Sequence, residues 1–350
     1  PLSKLCHSLV FASGTLEPLD QVAKECGLNV TAQTKLAVKE HVVPREQMWL
    51  GAVWRDSAQG RVIKAVKKLP DGVPHNIGCP GEYNYRATCT CDWRQHQFFL
   101  DSLGDVLMQL IHATPAGVLV FFPSYAMLRS AQARWQLTDM WGRFEREGRK
   151  RVFCEADVQK QRDSQAAFTA LVEGPNGYKA AVDAPGGGGA MLLAVLRGNL
   201  SEGVSLDGSY ARLVGIIGIP WGPKGDAKLQ AKMDFNDQRA DDLGSGKKYC
   251  ERLMCRAVNQ ALGRAIRKPD DYGAVVLIDE RHQNRDASVT GWLPPLWARS
   301  FYRCHVEFDG PYQGRDLVGH HGQGFADFVA QHELRPFFAA NFGRAAAGST

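Results

Sequence analysis

Gly117–Val118–Leu119–Val120–Phe121–Phe122 is an unbroken apolar run, and its flanks decide how it is read. Before it, Phe99, Leu103, Val106, Leu107, Leu110 and Ile111 repeat at three and four residues, the period of a helix with one buried face. After it, Leu128, Ala131 and Trp135 do the same. A strand with one wet face alternates polar and apolar residues. A continuous run needs cover on both faces, which helices packed on a parallel sheet provide.

Working outward, similar strand signals recur at His7–Ala12, Met48–Trp54, Val152–Glu155, Ala190–Leu196, Arg212–Ile219 and Gly273–Asp279. Strands alternating with helices predict an α/β fold, a parallel sheet with right-handed crossovers and helices on both faces. Residues 55–93 carry Pro70, Pro74, Pro80 and several glycines with little periodicity, and read as a surface insertion. Phe338–Thr350 reads as an Ala/Gly-rich tail, frayed at the end of the chain.

Composition narrows the function classes. The 350 residues are 44% hydrophobic and 23% charged, which excludes wholesale disorder. The longest apolar runs, near Ala190–Leu196 and Leu213–Pro220, are too short to span a bilayer, so no membrane partner is expected. Leu9–Ala12 after Lys4 is too short for the apolar core of a signal peptide. A start at Pro1 instead of Met reads as a fragment. Nine cysteines, an odd number, argue against a secreted disulfide framework, and no CxxC pair exists. No metal site is expected, and Cys79, Cys89 and Cys91 read as reduced thiols. A net charge of +5 permits an anionic partner such as nucleic acid without requiring one.

Two stretches imitate phosphate sites. Gly244–Ser245–Gly246–Lys247–Lys248 resembles the end of a P-loop, but the first glycine would fall at Asp241 and the magnesium hydroxyl at Lys248. No strand signal precedes it. Val275–His282 ends in Asp279–Glu280–Arg281–His282, the form of a DExH box, yet without a P-loop it has no phosphates to serve. It is expected to be an acidic pair at a strand end on a sheet edge.

The segment Tyr249–Lys268 carries the chemistry. Met254, Val258, Ala261, Leu262 and Ala265 form an apolar stripe at helical spacing; Arg256, Gln260, Arg264 and Arg267 form a second, expected on the opposing side. Arginines without interleaved carboxylates repel one another unless an anion lies among them, and the guanidinium fork matches phosphate oxygens. Gly263 sits inside the helix at a cost of about 1 kcal/mol against Ala, which suggests a close approach to the backbone there. A solvated basic face is the alternative reading of the stripe by itself.

Gln260–Ala261–Leu262–Gly263–Arg264–Ala265–Ile266–Arg267 matches the QxxGRxxR signature, motif VI, of superfamily 2 helicases. With Arg256–Gln260 and Asp271–Ala274 around it, the segment resembles the iron–sulfur helicases related to XPD. Phe11–Pro18 resembles that family's SGTLxP box, Phe121–Tyr125 its motif IV, and Arg197–Val204 its motif V. Order and spacing agree over about residues 1–310, and the nearest subfamilies are the Fanconi anaemia group J and telomere-elongation helicases. Departures are Asn199 where Lys is usual, Ser205–Leu206 where Asp–Phe is usual with Asp207 two positions late, and Lys268 for a His. Asp279–His282 falls at the family's DxRF, after motif VI, and so is not its Walker B box.

The resemblance implies a RecA-like helicase motor domain 2. Residues 1–30 would be the end of motor domain 1, 31–310 motor domain 2 with an insertion at about 55–93, and 311–350 a C-terminal extension. The P-loop, the DEAH box, the arch and the four cysteines of the 4Fe-4S cluster belong, in this family, to the half that precedes the SGTL box. ATP and Mg2+ would be shared with that upstream domain. Arg264 and Arg267 would act as arginine fingers with Gln260 orienting the phosphate or water, and Glu202, Gly203 and Gly263 would line the nucleotide side. Ser13, Thr15, Ser124, Tyr125, Arg197 and Ser201 would face single-stranded DNA or a forked duplex; Ser13 and Ser124 could equally be helix N-caps and Tyr125 a core aromatic. The implied protein is a nuclear 5′-to-3′ DNA helicase of repair or genome maintenance, working with repair or replication proteins. The alternative is a degenerate module that binds nucleic acid or protein without hydrolysis, favoured by Asn199 and Ser205 and opposed by Gln260, Arg264 and Arg267.

Overall fold

A computed structural model describes residues 19–27, 44–54, 90–155, 161–173, 188–198, 208–219, 226–266, 268–282 and 334–347, with Val10, Ile63, Ala65, Leu206 and Ala330 between them. The strands are β1 (Met48–Val53), β2 (Ala116–Phe122), β3 (Lys150–Cys154), β4 (Gly189–Val195), β5 (Leu213–Ile217) and β6 (Gly273–Ile278). They form one sheet in the order β1-β6-β5-β2-β4-β3, and every pairing is parallel. This is a RecA-like α/β sheet. Of the expected strands, only His7–Ala12 falls largely outside the described residues, with Val10 exposed.

The helices, in chain order, are α1 (Leu19–Glu25), α2 (Thr90–Ala113), α3 (Tyr125–Leu137), α4 (Met140–Arg146), α5 (Gln161–Glu173), α6 (Ala227–Asp237), α7 (Ala240–Leu243), α8 (Gly246–Ala265) and α9 (Arg335–Ala347). Every residue of β1, β2, β5 and β6 is buried, as a sheet covered on both faces requires. The periodic residues of α2 and α3 supply much of that cover: Leu103, Val106, Leu107, Leu110, Leu128, Ala131 and Trp135 are buried. Trp135 packs edge-on against Phe122 and Phe144, and its indole N–H donates to Leu100 O at 2.8 Å.

Three expectations need correction. The segment 335–347 is a helix, not a frayed tail. Leu334, Phe337, Phe338 and Asn341 follow helical spacing and are buried; Phe338 packs on Tyr272, and Asn341 Nδ2 donates to Glu46 O and Phe337 O. The insertion is not wholly on the surface, because Ile63 and Ala65 are buried against the sheet. Asp279 does not lie at a sheet edge either: β6 is an inner strand between β1 and β5, and Asp279 is fully buried. Its carboxylate accepts from Ala65 N and from the backbone and guanidinium of Arg281, while Arg281 Nη2 donates to Ala65 O at 2.9 Å. The Asp279–Arg281 pair thus clamps both polar groups of one backbone residue.

Candidate functional site

In an open parallel sheet, ligands bind outside the carboxyl ends of the strands where connections leave in opposite directions. Here β2 and β5 are neighbours; the chain leaves β2 towards β3 and leaves β5 towards β6. That switch point lies between the ends of β2 and β5, so the loop after β2 borders it and the loop after β4 lies one strand further out. Ser124 and Tyr125 follow β2, and Arg197 and Gly198 follow β4, so the structure brings three of the predicted DNA-side residues to one end of the sheet.

Each has a definite local setting. Ser124 is the N-cap of α3, its hydroxyl accepting from Met127 N at 3.3 Å. Tyr125 is half-buried and donates its hydroxyl hydrogen to Glu155 Oε1 at 3.0 Å. Arg197 adopts a left-handed backbone with φ 64°, a strained setting for a residue with a side chain. Its guanidinium Nη2 donates to Leu253 O, in α8, at 2.8 Å. The β4 loop is therefore tied directly to the helix that carries the arginine stripe.

α8 begins at Ser245, whose hydroxyl accepts from Lys248 N, and ends where Ile266 turns extended, three residues before Pro269. The Gly244–Lys248 look-alike is thus a junction between two helices, with α6 and α7 before it and no strand. Met254, Val258, Ala261 and Ala265 are buried as expected. Gln260 is exposed, and Gly263 is exposed with no described atom within 4 Å of a Cβ built on it. Arg264 departs from expectation: it is 6% exposed, against the reading that it points away from the core. At about 100° per residue, it lies only about 80° from the Met254 direction, at the margin of the apolar stripe. Leu253 and Arg264 are eleven residues apart, so about 16 Å of helix separates the Arg197 anchor from Arg264. The arginine end of α8 sits instead near the amino end of β6, where Ala265 O crowds Gly273.

Ser13, Thr15, Ser201, Glu202, Gly203 and Arg267, together with Asn199, Ser205, Cys79 and Cys89, lie outside the described residues, and Cys91 falls in the first turn of α2. Among the described residues, no group of three His, Cys, Asp or Glu is placed to hold a metal ion, and no helix is long and apolar enough to cross a membrane. Gln260 and Gly263, three residues apart on α8, are both exposed.

Glu155 escaped the sequence reading as anything but the end of a strand. It is fully buried, and its second oxygen accepts from Val195 N at 2.7 Å. The available signal was an acidic residue closing an otherwise apolar run, Val152–Phe153–Cys154–Glu155, at the carboxyl end of a parallel strand. Ordinary strand ends look the same, so only the three-dimensional contacts distinguish it.

Comparison with known proteins gives a consistent answer. The family described as Helicase C-terminal domain matches residues 107–296. The regulator of telomere elongation helicase 1 homolog of Anopheles gambiae is 32% identical over 292 residues, 82% of this chain and 26% of that protein. The Fanconi anemia group J protein homolog of Gallus gallus is 30% identical over 329 residues, 93% of this chain and 23% of that protein. The chain thus spans about a quarter of the length of these relatives. Among solved structures, one titled XPD_APO is 20% identical and aligns with a TM-score of 0.42, covering 83% of this chain and 47% of the other.

Proposed function

Because the chain belongs to the XPD-like helicase family through its helicase C-terminal domain, we propose that it is the second motor domain of an ATP-dependent DNA helicase of genome maintenance. The observation that carries the reading is α8. The motif VI stretch is helical from Gln260 to Ala265, the apolar stripe of α8 docks on the sheet, and Gln260 and Gly263 are exposed. ATP, with Mg2+, supplies the free energy for strand separation and is held by an upstream domain. Gln260 orients the phosphate or the attacking water, with Gly263, Glu202 and Gly203 on the nucleotide side. Arg264 and Arg267 stabilise charge as it spreads over the γ-phosphate oxygens, a contribution worth about 10³–10⁵ in rate in related systems. The 6% exposure of Arg264 sets a condition on that role: its side chain has to turn outward from α8 to reach the phosphate.

On the other side, Ser13, Thr15, Ser124, Arg197 and Ser201 offer hydroxyl and guanidinium donors to the phosphodiester backbone of single-stranded or forked DNA, while Tyr125, whose one hydroxyl hydrogen goes to Glu155, presents its ring to the strand. Such contacts position a strand without reading sequence. Placement in the nucleus accords with relatives described by telomere elongation and by Fanconi anemia, and 5′-to-3′ polarity is what the family resemblance of the sequence motifs implies. The test is ATP hydrolysis by the full-length protein with and without an oligo(dT) strand. Turnover that requires the strand supports the proposal; strand binding with no turnover under any condition supports the degenerate binding module instead.

A further inference from the structure

The loop after β2 and the loop after β4 meet at a single buried carboxylate. Glu155, at the end of β3, accepts from Tyr125 Oη on one oxygen and from Val195 N on the other. β4 lies between β2 and β3 in the sheet, so this side chain spans three adjacent strand ends. The space around it is closed: a Cβ on Gly198 would come within 2.8 Å of both Glu155 Oε1 and Tyr125 Oη. One residue earlier, Arg197 holds its left-handed turn and bonds Leu253 O of α8. A chain of contacts therefore runs from Tyr125 through Glu155 and the end of β4 to Arg197 and the helix of motif VI.

We propose that Glu155 is a positioning residue that fixes the DNA-side loops against one another and, through the β4 turn, sets their place relative to α8. This rests on the helicase reading above and adds to it a residue that touches neither DNA nor nucleotide. Its carboxylate holds Tyr125 in the orientation that a strand meets, and it fixes Val195 N so that the Arg197 turn is aimed at α8. Loss of the carboxylate frees both loops, so DNA has to order them on binding, and apparent DNA affinity falls while the nucleotide side is touched less.

The test uses the full-length protein, with ATP turnover measured against oligo(dT) concentration. For Glu155→Gln, the oligo(dT) concentration that gives half-maximal stimulation is expected to rise at least about tenfold, the size of one lost hydrogen bond to a carboxylate, with the KM for ATP changed by less than about twofold. Tyr125→Phe is expected to show the same signature, and the double variant to be no worse than Glu155→Gln alone, because both act through one contact. Multiplying effects would mean that Tyr125 meets DNA independently of Glu155, and would overturn the proposal. So would a folded Glu155→Gln protein with parental half-saturation, or equal losses in DNA and ATP dependence. If Glu155→Gln does not fold, Gly198→Ala takes its place: its Cβ wedges the pair apart, and parental half-saturation in that variant is equally fatal. A parent protein that hydrolyses ATP indifferently to DNA would overturn the helicase reading itself, and this inference with it.

Discussion

Arg264, proposed above as an arginine finger, is also part of the packed structure. Its place at the margin of the apolar stripe leaves it 6% exposed, so on the proposed reading removing it carries a structural cost beside the catalytic one. Arg264→Ala in the full-length protein is expected to lose about 1–3 kcal/mol in denaturant unfolding, from the groups it leaves unpaired, and at least about a hundredfold in turnover. Arg264→Lys is expected to recover stability better than rate, since a point charge does not reproduce the guanidinium fork. His282 provides a purely structural counterpart. Burial, assisted by the Arg281 guanidinium and opposed by Asp279, pushes its imidazole down to about 4. Between about pH 6.5 and 4 the unfolded chain binds a proton that the folded chain refuses. The stabilisation is therefore complete above about 6.5 and drains away as pH falls towards 4, by about 3 kcal/mol in all. Urea unfolding at pH 7 and 4.5 reads this directly: His282→Gln is expected to remove most of the difference between the two pH values, and parallel losses in both proteins would contradict the assignment.

At the level of elements, the tightest requirement lies where β2 and β4 start side by side. Gly189 has φ 151°, and a Cβ there would lie 2.1 Å from Ala116 O, a backbone atom that cannot swing aside. Gly189→Ala is expected to destabilise the protein by several kcal/mol, about 3 or more, and to do so without altering the m-value. A thermal midpoint within a degree or two of the parent would show that the two strand starts can separate. Five of the six described strands were readable as continuous apolar runs, which parallel sheets favour; β3, whose Lys150 and Arg151 precede Val152–Phe153–Cys154, showed only its apolar end. The α9 helix was not readable in the same way. Its Ala- and Gly-rich composition resembles a frayed end, and its burial depends on Phe338 finding Tyr272, a partner more than sixty residues away in the chain. Asp279 misled for a related reason: strand order within the sheet is a long-range property, and local pattern cannot say which strands are inner ones.

Over the whole molecule, the net charge of +5 and the sheet end carrying Ser124, Tyr125 and Arg197 are what the proposed reading takes as half a groove. Binding of this chain to oligo(dT) is expected to be weak and indifferent to sequence, with a log–log salt slope of about two to four from counterion release. A salt-independent, sequence-selective interaction would instead indicate base readout. The candidate site was legible where chemistry is local, as in the QxxGRxxR stretch, whose residue types and spacing are visible without coordinates. It was illegible at Glu155, whose importance exists only where three strand ends converge, and at Arg264, whose depth depends on how α8 rolls against the sheet. The central claim, that this chain completes an ATP site built mainly by another domain, is tested most directly at Arg267. In the full-length protein at saturating ATP and oligo(dT), Arg267→Ala is expected to cut turnover by at least about a hundredfold while ATP affinity changes far less, because the lost interaction strengthens as charge develops on the γ-phosphate. A folded Arg267→Ala protein that hydrolyses ATP at the parental rate would contradict the account.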